Sequence, residues 1–127
     1  MESLQDFTDT AALIAEFNKL AESGQRFVVY LTGSEKANGD SWCPDCVVAK
    51  PVIAGVIASI NGRFPVLKHS IDRADWMGKP DQPYKKHPLI RAAGVPTFVM
   101  FEGTTELVRA DDGAHFANAD LMQVFSE

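Results

Sequence analysis

Several specialised classes of protein are excluded by what this sequence lacks. It has only two cysteines, too few for a disulfide-dense secreted scaffold. Basic residues are in the minority, with 12 Lys and Arg against 17 Asp and Glu and a net charge of −5. A chain that binds nucleic acid by neutralising phosphates runs the other way. The apolar runs fall well short of the roughly 20 residues that a bilayer-spanning helix needs. Met1–Asp6 shows neither a basic start nor an apolar segment, and Phe125–Glu127 carries no lipidation or retention signal. The expected compartment is therefore the reducing cytosol. Internal repeats and low-complexity stretches are missing too. What is there is ordinary: 127 residues, 46 % hydrophobic and 23 % charged, which suits one globular domain over 1–127 with a real core.

The hydrophobic pattern alternates between helical and strand periods. From about Asp9 to Ser23, Leu13, Phe17, Leu20 and Ala21 share one helical face. Thr8 or Thr10 is the expected cap, and Gly24 the expected stop. Phe27–Leu31 is a continuous apolar run that suits a strand buried on both faces. A polar loop, Gly33–Ser41, leads to a long helix over Cys43–Ile60 with Val47, Ala54, Ile57 and Ala58 as its apolar positions. Pro51 falls inside that helix and should kink it, and Asn61-Gly62 should end it. Pro65–Ile71 alternates as a strand, with Leu67, His69 and Ile71 on one side. Asp72–Pro83 reads as a loop and Tyr84–Ala92 as a weak helix interrupted by Pro88. Thr97–Phe101 and Glu106–Ala110 form an antiparallel hairpin about Gly103-Thr104. A last helix, capped near Asn118, carries Leu121, Val124 and Phe125. Alternation at the front demands parallel strands with right-handed crossovers, and the hairpin adds an antiparallel edge. The predicted fold is a three-layer α/β sandwich, a central mixed sheet flanked by helices.

The chemistry concentrates in Trp42-Cys43-Pro44-Asp45-Cys46. Two intervening residues bring both sulfurs to the first turn of the long helix. Free N–H groups and the positive end of the helix dipole stabilise a thiolate there. The thiolate is the species that attacks disulfides, so an acidified Cys43 is the expected nucleophile. Cys46, deeper in the fold, is the expected resolving thiol that releases the mixed disulfide. Trp42 is expected as a substrate-facing platform. Far along the chain, Gly94-Val95-Pro96-Thr97 runs directly into a strand, where proline cannot supply a ladder donor. A cis Val95–Pro96 bond accounts for that position and would turn the Val95 backbone toward an incoming peptide-like substrate.

With these residues in place, the chain resembles the thioredoxin superfamily. The shared features are a strand followed by Trp-Cys-x-x-Cys at a helix start, Pro51 eight residues after Cys43, and Val-Pro-Thr before a strand, hairpin and helix. Within it, the sequence is similar to the thioredoxin domain-containing protein 17 family. That likeness rests on Thr32-Gly33-Ser34, the inserted loop, Ser41–Val47 and Trp76. It implies a cytosolic disulfide reductase, monomeric and with no bound cofactor or metal, that draws electrons from NADPH through thioredoxin reductase. It also implies cystine and selected proteins as substrates, with Ser34–Ser41 and Asp72–Pro83 restricting bulky partners. Classical thioredoxin has a buried acid in its first central strand, and the matching position here reads as Val29. The thiols must then be tuned otherwise. Pro44, Asp45 and Lys68 are the expected tuning residues, Lys68 through its charge beside a thiolate.

Other readings stand beside this one. A structural zinc site needs four ligands, yet there is no second cysteine pair, and His69, His87 and His115 lack tight spacing. Trp76 and the methionines Met77, Met100 and Met122 read as packing residues. A thioredoxin-like module that binds partners and is switched by redox state is the alternative in another class. A glutathione-dependent glutaredoxin fits the Trp-Cys-Pro-Asp-Cys motif poorly.

Overall fold

The computed structural model describes residues 4–127. The chain forms strand β1 (Leu4–Phe7), helix α1 (Thr10–Ser23), β2 (Arg26–Gly33), α2 (Pro44–Ile60), β3 (Val66–Ile71), α3 (Arg73–Trp76), α4 (Pro83–Lys86), β4 (Thr97–Glu102), β5 (Thr105–Ala110), α5 (Gly113–Ala117) and α6 (Ala119–Val124). The sheet order is β1-β3-β2-β4-β5. β3 pairs in parallel with both β1 and β2, while β2–β4 and β4–β5 are antiparallel. This is the mixed sheet that the alternating pattern predicts. No helix among the described residues is long and apolar enough to cross a membrane.

Strand alternation divides the core between the two faces of the sheet. Phe27, Val29, Leu31, Leu67, Val99 and Phe101 pack toward α1. Val28, Tyr30, Val66, Phe98, Met100 and Ala110 pack toward α2, α5 and α6. Period-2 geometry requires this split, and β2 feeds both halves because both its faces are covered. On the α1 side, Phe17 sits edge-on to Phe27 and Phe101, each with ring centroids 5.1 Å apart. Truncating such a ring costs about 3–5 kcal/mol.

Several local expectations need correction. Asp9, not Thr8 or Thr10, caps α1 by accepting the Ala12 N–H at 2.9 Å. Gly24 closes that helix with φ of +78°. The inward face of α2 is Cys46, Ala49, Ile53, Val56 and Ile60. Of the positions expected there, Val47, Ala54 and Ala58 are exposed and Ile57 is half-buried. This helix carries apolar residues all round, so periodicity could not choose a face. Pro51 lies within it and Asn61 caps it at φ +50°. The helix expected over Tyr84–Ala92 is the single turn α4: His87, next to Pro88, is extended at ψ 129°, as the residue before a proline prefers. The structure adds β1, α3 and α5, segments of four or five residues too short to show a period. In the last helix Met122 and Phe125 are buried while Val124 is exposed. Met77 is exposed as well, whereas Met100 and Met122 do pack inside.

Candidate active site

β2 ends at Gly33, beside the start of α2. There Gly33 N–H donates to Cys46 Sγ at 3.4 Å. Gly33 is held to this backbone by space, because an added Cβ would lie 2.7 Å from Ser41 Oγ and 2.9 Å from the Trp42 ring. Ser41 donates to Gly33 O at 2.8 Å and accepts the Cys43 N–H at 3.1 Å. The inserted loop therefore closes onto the cysteine turn. Its far side is tied down by Ser34 to Asp72 at 2.7 Å and by the Glu35–Lys50 ion pair. Trp42 donates its indole N–H to Ile71 O at 2.7 Å and packs against the α1-side core. It is both an anchored core residue and a wall of the groove in front of Cys43.

Cys43 is the N-cap of α2, and its Sγ accepts the Cys46 N–H at 3.3 Å. Its thiol donates to Val95 O at 3.3 Å. That carbonyl precedes Pro96, across a peptide bond that is cis. Thr97 Oγ braces the same turn by donating to Gly94 O at 2.7 Å. Pro44 occupies the first turn of α2, where its missing N–H costs nothing. Both cysteines are free thiols.

The structure thus gathers Trp42, Cys43, Pro44 and Val95 around one groove of about 420 Å³, closed opposite by Arg73, Trp76 and Met77. Pro96 and Asp45 line a neighbouring slot. Cys46 and Lys68 border a different cavity, of about 350 Å³, behind the turn.

The electrostatics correct one expectation. The helix start was expected to acidify Cys43. Instead, burial is the dominant influence and pushes the thiol from 9.0 up to about 12. The Cys46 sulfur and the Asp45 charge add to the rise, and the Cys46 N–H opposes it. Cys43 is only 6 % exposed and Cys46 3 %, so the exposed front thiol expected from the motif is corrected: both sulfurs are buried, and the two differ only in what each faces. Lys68 is not among the groups that act on Cys43; Lys50 holds the Glu35 carboxyl below its ordinary value, and Lys68 adds only the smallest contribution there.

Sequence reasoning also misplaced the residue of β2 that faces Cys46. Val29 packs toward α1. Tyr30 lies on the Cys46 side and lines its cavity. Lys68 Nζ sits 5.8 Å from the Tyr30 ring centroid. The available signal was a lone polar-tipped aromatic in an aliphatic strand. Burial, foremost, raises the Tyr30 hydroxyl above its ordinary value, so it is neutral at pH 7.

Against known proteins, the model of the family described as "Thioredoxin domain-containing protein 17-like, thioredoxin domain" matches residues 3–127. The chain belongs to that family. It is therefore a thioredoxin-like redox domain. A rice protein named thioredoxin-like protein Clot is 33 % identical over 116 residues, covering 82 % of this chain and 83 % of that one. A Leishmania braziliensis protein named acireductone dioxygenase is 36 % identical over 91 residues, 67 % of this chain. The match covers only 26 % of that longer protein, so the chain spans about a quarter of it. Thioredoxin O1 from Arabidopsis thaliana, in its oxidised state, superposes with a TM-score of 0.63 over 99 % of this chain and all of that one, at 17 % identity. The superposition establishes the thioredoxin-like fold.

Proposed function

We propose that this chain is a thiol–disulfide oxidoreductase that works as a reductant. The observation that carries the reading is the cysteine turn itself. Cys43 Sγ caps α2 through the Cys46 N–H at 3.3 Å and lines an open groove beside the Val95 carbonyl. The Cys43 thiolate attacks one sulfur of a substrate disulfide, and the other substrate sulfur leaves as a thiolate. Cys46, deprotonated in turn, attacks the Cys43 sulfur and frees the second substrate thiol. The substrate gains two electrons and two protons, and the chain ends with a Cys43–Cys46 disulfide. No metal or bound cofactor is needed. The regenerating electrons come from NADPH through thioredoxin reductase, with cystine and selected protein disulfides as substrates in the cytosol. The Cys46 N–H that meets Cys43 Sγ also serves to hold the charge once the thiolate forms.

The buried, raised Cys43 thiol favours a second reading. A protonated thiol reacts slowly, which suits a module whose redox state switches partner binding. NADPH consumption with thioredoxin reductase, comparing cystine with a protein disulfide, separates the two. Multiple turnovers that vanish in Cys43→Ser support the reductant. Single-turnover oxidation, with partner capture unaffected by Cys43→Ser, supports the module and overturns the reductant.

A further inference from the structure

Beside the cysteine turn lies a narrow slot of about 170 Å³ between α2, α5 and the Pro96 turn. Its walls are apolar: Val48, Ala49, Val52, Pro96 and Phe116. Val48 is 74 % exposed although it sits one residue before the inward-facing Ala49, so its surface is available to a partner. Three carboxylates complete the lining, Asp45 from α2 and Asp111 and Asp112 from the β5–α5 turn, with Asp45 and Asp112 exposed to solvent. These carboxylates are not equally free. Asp111 lies 3.2 Å from His115 and 4.0 Å from Arg109. Asp112 caps α5 through the His115 N–H at 2.8 Å and lies 3.4 Å from the His115 ring. Asp45 has no ion-pair partner among the described residues. The lining therefore combines net negative charge with apolar surface.

An apolar slot with solvent-exposed carboxylates in its lining matches one kind of side chain: an aliphatic stem with a cationic tip. Lysine and arginine bury their methylenes against apolar surface while the charged head stays at the water boundary. The slot adjoins Cys43 through Pro96 and the first turn of α2, so its occupant must lie next to the disulfide being exchanged. The geometry points to a recognition subsite for a lysine or arginine side chain flanking the disulfide cysteine of a polypeptide substrate. This inference rests on the reductant reading for its purpose, and its occupant is fixed by charge complementarity and shape.

Three model disulfide peptides test it, identical except for Lys, norleucine or Glu beside the cysteine. Their kcat/KM values are measured, and their redox-inert serine analogues are titrated into the reduced chain while the methyl signals of Val48 and Val52 are followed by NMR. The expected order is Lys over norleucine over Glu, with about fivefold per step, the scale of one exposed ion pair. The Lys preference should shrink as salt is raised. Asp112→Asn keeps the α5 cap, since asparagine caps as well as aspartate. It should lower the Lys preference about threefold and leave reduction of an uncharged small disulfide unchanged. Val48→Ser, on an exposed position, should weaken Lys and norleucine peptides alike. Equal handling of Lys and Glu peptides, with silent Val48 and Val52 methyls, overturns the subsite even if all are reduced. Binding in the expected order with no reduction of any disulfide sustains the subsite and overturns the reductant reading.

Discussion

Cys43 and Cys46 share one helical turn, yet they face different surroundings. Cys43 donates to Val95 O, caps α2 and looks into a groove walled by Trp42, Trp76 and Met77. Cys46 accepts the Gly33 N–H and looks into a hollow lined by Tyr30, Lys50 and Lys68. One sulfur meets aromatic surface and a carbonyl, the other a polar, charged recess. The cysteine spacing brings the sulfurs onto one turn, but the strand ends and loops that surround them decide which way each exchanges protons and substrates. Burial governs the front thiol more strongly than the helix start does, because desolvation of a thiolate outweighs the single N–H that would stabilise it.

The sharpest way to break this comparison is to remove each sulfur in turn. Cys43→Ser should bring disulfide reduction down to background, while Cys46→Ser should retain the first attack and accumulate mixed disulfides detectable by mass spectrometry. If Cys46→Ser is the silent variant and Cys43→Ser traps the substrate, the front and rear roles are exchanged.

The pH response comes next in size. Three pH units separate the ordinary 9.0 from the raised value of about 12. At neutral pH, alkylation of Cys43 should therefore be more than about tenfold slower in the folded reduced chain than in the denatured one. The linked stability has a definite sign. A raised thiol favours the fold fully below about pH 9, and that contribution is lost as pH climbs from there toward 12. Reduced wild-type protein should thus lose stability over that window more than Cys43→Ser does. A Cys43 titration near neutrality would mean that the helix start overrides burial.

Smaller effects sharpen the picture. Gly33→Ala forces a methyl against Ser41 and Trp42 and should destabilise the chain by about 1–3 kcal/mol, seen as a lower urea midpoint. Lys68→Met should change release of the mixed disulfide only a few-fold, since Lys68 reaches Cys46 only across the cavity that both line. It should leave Cys43 alkylation unaltered. An equal loss in both steps would show that Lys68 acts on the fold rather than on Cys46.

Much of this architecture was legible beforehand, for reasons that differ by element. β2 and the β4–β5 hairpin announced themselves through apolar runs and a Gly103 turn, which stands at φ +62°. α1 showed a clean stripe ending in glycine. β1 did not, because Leu4-Gln5-Asp6-Phe7 offers two half-buried ends and becomes a strand only by pairing with β3. The α2 face was unreadable because Val47, Val48 and Val52 leave apolar surface outside. At the site, Cys43, Cys46 and the Val95-Pro96 turn were legible as a motif. Tyr30 was missed because a shift of one residue in a strand exchanges its two faces.

The sequence by itself determined α1, α2, β2, β3 and the β4–β5 hairpin, the parallel front and antiparallel edge, and the placing of two thiols on one helical turn, since these follow from periodicity, turn chemistry and spacing. Only the tertiary structure decided how far each thiol is desolvated, which residue of β2 lies behind Cys46, and that Asp45, Asp111 and Asp112 line one apolar slot. Burial and charge neighbourhood depend on segments far apart in the chain, and local pattern carries no record of which of them meet.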